Sequence, residues 1–160
     1  DEYLGRTVSH TTFMRRICEQ VSPEKILEIG VRAVCQEELD YAKRAGVQFF
    51  TVYDIQREGV EKTVEKIVGA LANCEKIYLS IDMDVLDPAY APAVQNPEPE
   101  GLSVSTLLDI LQGLSYHRLA ALDVTEVAPP YDQGTTAVQA AKIIYEVLCY
   151  AQCSRKVQCT

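Results

Sequence analysis

Four times along this chain a short run of apolar, β-prone residues is followed by a longer stretch with helical spacing. That alternation is what most limits the folds open to it. Lys25-Ile-Leu-Glu-Ile-Gly-Val-Arg32 reads as a strand after the turn Ser22-Pro23-Glu24, and residues 36–45 read as a helix stopped by Gly46. Val47-Gln-Phe-Phe-Thr-Val-Tyr53 reads as the next strand. Residues 58–72 follow as a helix with Val60, Val64, Ile67, Val68 and Leu71 on one face. Lys76-Ile-Tyr-Leu-Ser-Ile-Asp82 is nearly all apolar, as expected of a strand covered on both faces. Ser103 is placed to cap a helix through Leu114. Arg118-Leu-Ala-Ala-Leu-Asp-Val-Thr-Glu126 reads as a fourth strand and residues 136–151 as the last helix. The pattern predicts an α/β fold: a parallel sheet with helices on both faces, three layers deep, joined by right-handed crossovers.

In such sheets ligands bind outside the carboxyl ends of the strands. Two long loops leave from those ends. One follows Asp82 and carries Pro88, Pro92, Pro97 and Pro99 up to Gly101; the other covers residues 127–134. Loops of this length inside a compact domain are usually functional, so the chemistry is expected there.

The composition narrows the partners. With 160 residues the chain is expected to form one domain, residues 1–151, followed by a short tail, residues 152–160. A hydrophobic fraction of 48% and a charged fraction of 24% exclude disorder and low-complexity fibres. No apolar run approaches the roughly 18–20 residues of a membrane span, and residues 1–20 hold no signal-peptide core. We therefore expect no membrane partner and a cytoplasmic location. The net charge of −8 disfavours nucleic acid and favours cationic ligands. Cysteines 18, 35, 74, 149, 153 and 159 form no CxxC and no Cys/His pairing, and read as reduced thiols. Cys149 and Cys153, four apart on a helix, leave a bridge or redox role open.

The densest chemical signal is Ser80-Ile-Asp82-Met-Asp84-Val-Leu-Asp87-Pro88. If the strand continues, alternation sends Asp82 and Asp84 to the same side, into the crevice. Two adjacent carboxylates repel unless a cation or proton neutralises them, and hard oxygen ligands suit Mn²⁺ or Mg²⁺. Taken alone, the pair also fits solvated loop acids. It also resembles the first motif of a magnesium-dependent phosphotransferase, although Val85-Leu86 follow where that motif continues differently. An EF-hand is excluded by the missing Gly and closing Glu.

The longer spacing goes further. Ser80-x-Asp82-x-Asp84, three residues, Pro88, three residues, Pro92-Ala93, seven residues and Gly101 together resemble the signature loop of the ureohydrolases, the arginase/agmatinase family. Ser9-His10-Thr-Thr-Phe-Met-Arg-Arg16 is similar to the family's Ser-His-Gly-Thr segment. Asp123-Val-Thr-Glu126-Val-Ala-Pro-Pro-Tyr131-Asp132 is similar to its Glu-Val-Ala-Pro-Pro-Tyr-Asp segment, in the agmatinase wording. Resemblance runs to about Ala151.

The resemblance implies an arginase-like αβα fold and hydrolysis of a linear guanidino compound, with agmatine the first choice, to urea and an amine (putrescine) at a dinuclear Mn²⁺ site. By that analogy Asp82 bridges both metals and Asp84 ligates one. Glu126 holds the guanidinium, and His10 shuttles a proton to the leaving amine. His117, before a strand, is taken as structural, and Asp87 and Asp132 as braces of their loops. The likeness also implies a homo-oligomer, a trimer or hexamer.

Departures accompany it. Thr11-Thr12 and Ala93-Val94-Gln95-Asn96 stand where the family has glycines, which alters backbone freedom at the mouth of the site. The family's Gly-Gly-Asp-His and Asp-Ala-His-x-Asp segments, which supply its other metal ligands, do not occur in the sequence. Residue 1 is Asp rather than Met. The expectation is a carboxyl-terminal half of a ureohydrolase, incomplete on its N-terminal side and inactive alone. A non-catalytic truncated relative serving as a binding module is the remaining alternative.

Overall fold

Hydrogen bonding pairs the strands two by two, and both pairs are parallel. The computed structural model describes residues 2–114 and 116–157. The chain divides into two compact units, residues 1–51 and 52–160, and each is described by itself.

The first unit holds α1 (Phe13–Cys18), β1 (Leu27–Val31), α2 (Gln36–Ala45) and β2 (Gln48–Thr51). Pro23 opens a short 3-10 turn over Pro23–Lys25 that leads into β1, where the sequence placed a turn. β1 and β2 pair from Leu27 opposite Gln48 to Val31 opposite Thr51, with a bulge between Ile29 and Val31. The short helix α1 was not expected from the sequence. Only six residues long, it offers too few positions for helical periodicity to show.

The second unit opens on a helix where the sequence predicts the end of a strand. Val52 and Tyr53, read as the end of a strand, begin a helix, α3 (Val52–Glu58), and α4 (Val60–Ala70) follows it. Val52 and Ile55 are 3% and 1% exposed. A helix places residues three apart on one face, whereas a strand sends them to opposite faces. Burying both side chains is worth about 1.5–3 kcal/mol each, against a helix-propensity penalty for Val of under about 1 kcal/mol. Gly59, at φ +86°, separates the two helices, where the sequence suggested one continuous helix from residue 58. The apolar face of α4 is the expected one, with Ile67 fully buried on it.

β3 (Ile77–Asp82) and β4 (Leu119–Thr125) form the second parallel pair, Ser80 opposite Asp123 and Asp82 opposite Thr125. Ile77, Leu79 and Ile81 turn inward, while Tyr78, Ser80 and Asp82 are exposed. In this unit one face of the pair is therefore open, rather than both being covered. α5 (Val104–Gln112) begins where expected: the Ser103 side chain accepts the Thr106 N–H at 3.0 Å. It buries Leu107, Ile110 and Leu111. α6 (Thr135–Val157) runs past Ala151, since no Gly or Pro stops it there, and buries Ile143 and Val147.

Cysteines 18, 35, 74, 149 and 153 are free thiols, so Cys149 and Cys153 are not bridged. Cys159 lies outside the described residues, as does the side chain of His117. No helix among the described residues is long and apolar enough to cross a membrane.

Candidate active site

The strand does not continue through Asp84, as the alternation argument required. β3 ends at Asp82, and residues Met83–Val85 form a single 3-10 turn. Three residues per turn set Met83 and Leu86 on the same side, and both are buried, at 0% and 1% exposure. A continued strand would have left one of the two in solvent. The turn is closed by Asp82 itself, whose Oδ1 accepts the Asp84 N–H at 2.8 Å. Asp82 is exposed, and Asp84 is half-buried with its Oδ1 shielded from solvent. Both carboxylates thus stand at the carboxyl end of β3, brought together by a turn.

Glu126 follows directly on the end of the neighbouring strand. Asp82 pairs with Thr125, so Glu126 is the next residue after the cross-strand partner of Asp82. Its φ is +60°, in the left-handed region that costs an L-residue about 1–2 kcal/mol. Such strain persists where the surroundings hold it, and it collects at functional sites. The Glu126 side chain is half-buried. Asp82, Asp84 and Glu126 therefore occupy the ends of two adjacent parallel strands, where an α/β sheet binds its ligands.

The loops behind these residues are braced by carboxylates, as the sequence suggested. Asp87 Oδ1 accepts the Ala89 N–H at 2.9 Å, and its Oδ2 accepts the Gly101 N–H at 3.2 Å. Gly101 is required by a close approach: a Cβ there would stand 2.3 Å from the Asp87 nitrogen. Asp132 accepts the N–H groups of Gly134 and Thr136 at 2.7 and 2.8 Å and the Thr136 hydroxyl at 2.8 Å. These donors, the Thr136 N–H foremost, hold its carboxyl below the ordinary value of 3.8.

Two participants were missed from the sequence. Asp123, on the exposed face of β4, accepts the Ser80 hydroxyl at 2.7 Å and the Tyr78 hydroxyl. Only the register of β3 with β4, which pairs Asp123 with Ser80, puts it on that face. Thr136 is fully buried at the start of α6, and no local signal marks a lone Thr at a helix start as anything but a cap. His10 belongs to the first unit. It is exposed there, with its ring edge-on to Tyr3 at 6.2 Å. Its segment is ordered by Thr12, which is buried, accepts the Ser9 N–H at 2.9 Å and donates to the Thr7 carbonyl at 3.0 Å.

Asp82 and Asp84 match a hard divalent cation in kind, since both offer carboxylate oxygens. They fall short in number: among the described residues no group of three or more His, Cys, Asp or Glu side chains converges on one point. The pair fits as part of a ligand set and does not make a dinuclear centre alone.

The sequence profile described as "Arginase family" matches residues 1–150. The chain belongs to the arginase family. It is 32% identical over 151 residues to an agmatinase of Bacillus cereus, covering 92% of this chain and 50% of that protein. It is 30% identical over 158 residues to a guanidinobutyrase of Pseudomonas aeruginosa, covering 93% and 48%. Among solved structures it is similar to the agmatine ureohydrolase of Thermoplasma volcanium, with a TM-score of 0.87 and 32% identity over 97% of this chain and 52% of that one. The α/β fold expected from the alternation, arginase-like as the resemblance implied, is thereby established. This arginase-family chain spans about half the length of the curated relatives it matches. Membership of the family weighs against the phosphotransferase reading of Asp82 and Asp84.

Proposed function

We propose that the protein carrying this arginase-family chain is an amidinohydrolase that cleaves a linear guanidino compound to urea and an amine. Agmatine, giving putrescine, is the preferred substrate, and a manganese pair the cofactor. The observation that carries this reading is that Asp82, Asp84 and Glu126 stand at the ends of adjacent parallel strands, the first two within the spaced run from Ser80 to Gly101. Similarity to an agmatinase and a guanidinobutyrase supports the guanidino class while leaving the chain at the substrate's far end open to test. The net charge of −8 suits a cationic substrate and disfavours nucleic acid. A homo-oligomer, trimeric or hexameric, is proposed with it.

The residues divide the work by charge. Asp82 and Asp84 would give carboxylate oxygens to the manganese pair, with ligands from outside these 160 residues completing the set. When bound, the pair supplies a hydroxide nucleophile at neutral pH. Glu126, half-buried, would hold the planar guanidinium by charge-assisted hydrogen bonds and present its central carbon. Its left-handed backbone sets the direction in which the side chain leaves the end of the strand. As the carbon–nitrogen bond breaks, the departing amine needs a proton, and His10 is the side chain assigned to deliver it.

The test uses the protein expressed from its full reading frame and supplied with Mn²⁺. Urea release from agmatine is expected to exceed that from 4-guanidinobutyrate and arginine, and Asp82→Ala is expected to abolish it. Near-normal turnover in that variant would overturn the ligand assignment. A second reading, a non-catalytic relative acting as a binding module, is favoured by the missing third ligand among the described residues. Absence of metal-dependent urea release from every linear guanidino compound tried would establish it over the first.

A further inference from the structure

Two loops carry the candidate site, and they are fastened to each other at one buried residue. Ala93, in the loop after β3, is fully buried, and both of its backbone groups are used across the gap. Its N–H donates to Thr136 Oγ1 at 2.9 Å, and its carbonyl accepts the Ala128 N–H at 2.8 Å. Thr136 Oγ1 in turn donates to Asp132 Oδ2 at 2.8 Å, and that oxygen also takes the Thr136 N–H. The hydroxyl thus acts as donor and acceptor at once, on a fully buried side chain. Ala128, the other end of the fastening, lies two residues after Glu126, whose φ of +60° must be held from both sides. On one side is β4, paired to β3; on the other is this clasp.

We propose that Thr136, seconded by Asp132, is a positioning residue for the reaction. Its hydroxyl clamps the loop after β3 to the loop after β4, holding Glu126 in its left-handed conformation. The separation between the Glu126 carboxylate and the Asp82–Asp84 pair is thereby set. Thr136 touches neither substrate nor metal and acts through Ala93, Ala128 and Glu126. The proposal rests on the amidinohydrolase reading, because it assigns the two loops to the two halves of one substrate site. Valine has the shape of threonine without the hydroxyl, so Thr136→Val removes both bonds at nearly constant volume. Serine keeps the hydroxyl.

The experiment compares Thr136→Val and Thr136→Ser in the protein expressed from its full reading frame. It reads kcat and KM for urea release, with Mn²⁺ affinity followed separately from the paramagnetic resonance of free Mn²⁺. Thr136→Val is expected to lower kcat roughly ten- to a hundredfold, the effect of misplacing a reacting group by about 1 Å. Mn²⁺ affinity should hold, because Asp82 and Asp84 are braced by their own turn, and Thr136→Ser should restore most of kcat. An unchanged kcat, or a loss of Mn²⁺ affinity in step with kcat, would overturn the proposal. If Thr136→Val does not fold, Asp132→Asn must give the same split between kcat and metal affinity. A readout free of catalysis comes from nuclear magnetic resonance on the same protein, expressed from its full reading frame. In Thr136→Val the Ala93 and Ala128 amides should exchange faster, and the Glu126 backbone shifts should leave left-handed values. Should these changes appear while the unaltered protein hydrolyses no guanidino compound, the functional reading fails and the clasp stands. If the amides and Glu126 shifts are unmoved, the clasp fails whatever the activity.

Discussion

Gly101→Ala should unfold the loop after β3 from within. The Cβ it adds would sit 2.3 Å from the Asp87 nitrogen, 2.5 Å from the Leu86 carbonyl carbon and 2.7 Å from Asp87 Cα. All three are backbone atoms, so no side chain can swing away. The two segments must part by about 1 Å to reach ordinary van der Waals contact. Parting strains the bonds that join them. The Asp87 N–H meets the Leu102 carbonyl at 3.0 Å, the Leu102 N–H meets the Val85 carbonyl at 2.9 Å, and the Gly101 N–H meets Asp87 Oδ2 at 3.2 Å. Overpacking costs about 1–3 kcal/mol, and weakening two or three hydrogen bonds adds about 1 kcal/mol each. A loss of about 3–6 kcal/mol is expected, a large share of the stability of a domain this size.

The same substitution elsewhere supplies the control. Gly69 lies inside α4 with nothing within 4 Å of its missing Cβ, so Gly69→Ala should stabilise by about 0.5–1 kcal/mol. Urea unfolding of the two variants, followed by far-ultraviolet circular dichroism, should move the midpoint in opposite directions. A Gly101→Ala midpoint within error of the unaltered chain would falsify the claim that this glycine is present for the close approach.

Other expectations follow from the same loops. Glu100 sits at φ +62°, exposed, where glycine carries no steric penalty. Glu100→Gly should therefore raise the urea midpoint, the relief of about 1–2 kcal/mol of strain outweighing glycine's added freedom in the unfolded chain; a lowered midpoint would refute this. Asp132 is held below its ordinary value of 3.8, principally by the Thr136 N–H, so the folded state keeps it ionised at pH where the unfolded chain has taken up a proton. The stability this contributes is present above the unfolded value and is lost as pH falls through the folded one. Asp132→Asn should flatten the acid limb of a stability-against-pH curve, and an unaltered limb would remove Asp132 from the account.

How much of this was legible in one dimension depends on the range of the forces involved. Ser103 announces α5 because its cap bond spans three residues, and the run from Ser80 to Gly101 keeps its meaning because the loop binds itself through Asp87. The helix at Val52 was hidden, since β-branched and aromatic residues favour a strand locally and only burial of Val52 with Ile55 reverses the preference. The same holds for Asp82 and Asp84. Their spacing set both on one side by way of a continued strand, whereas β3 ends at Asp82, two residues before Asp84, and a turn joins them instead.

The parallel α/β class, the acidic residues and the loops that carry them are legible in residue order, because periodicity, capping and fixed spacing are properties of neighbouring residues. The tertiary structure alone decided that Met83 and Leu86 share one buried side, that Glu126 takes a left-handed backbone, and that Thr136 meets Ala93 from 43 residues away. Those outcomes depend on what each residue is buried against. A partner that distant in the chain leaves no mark on the spacing of residues near it.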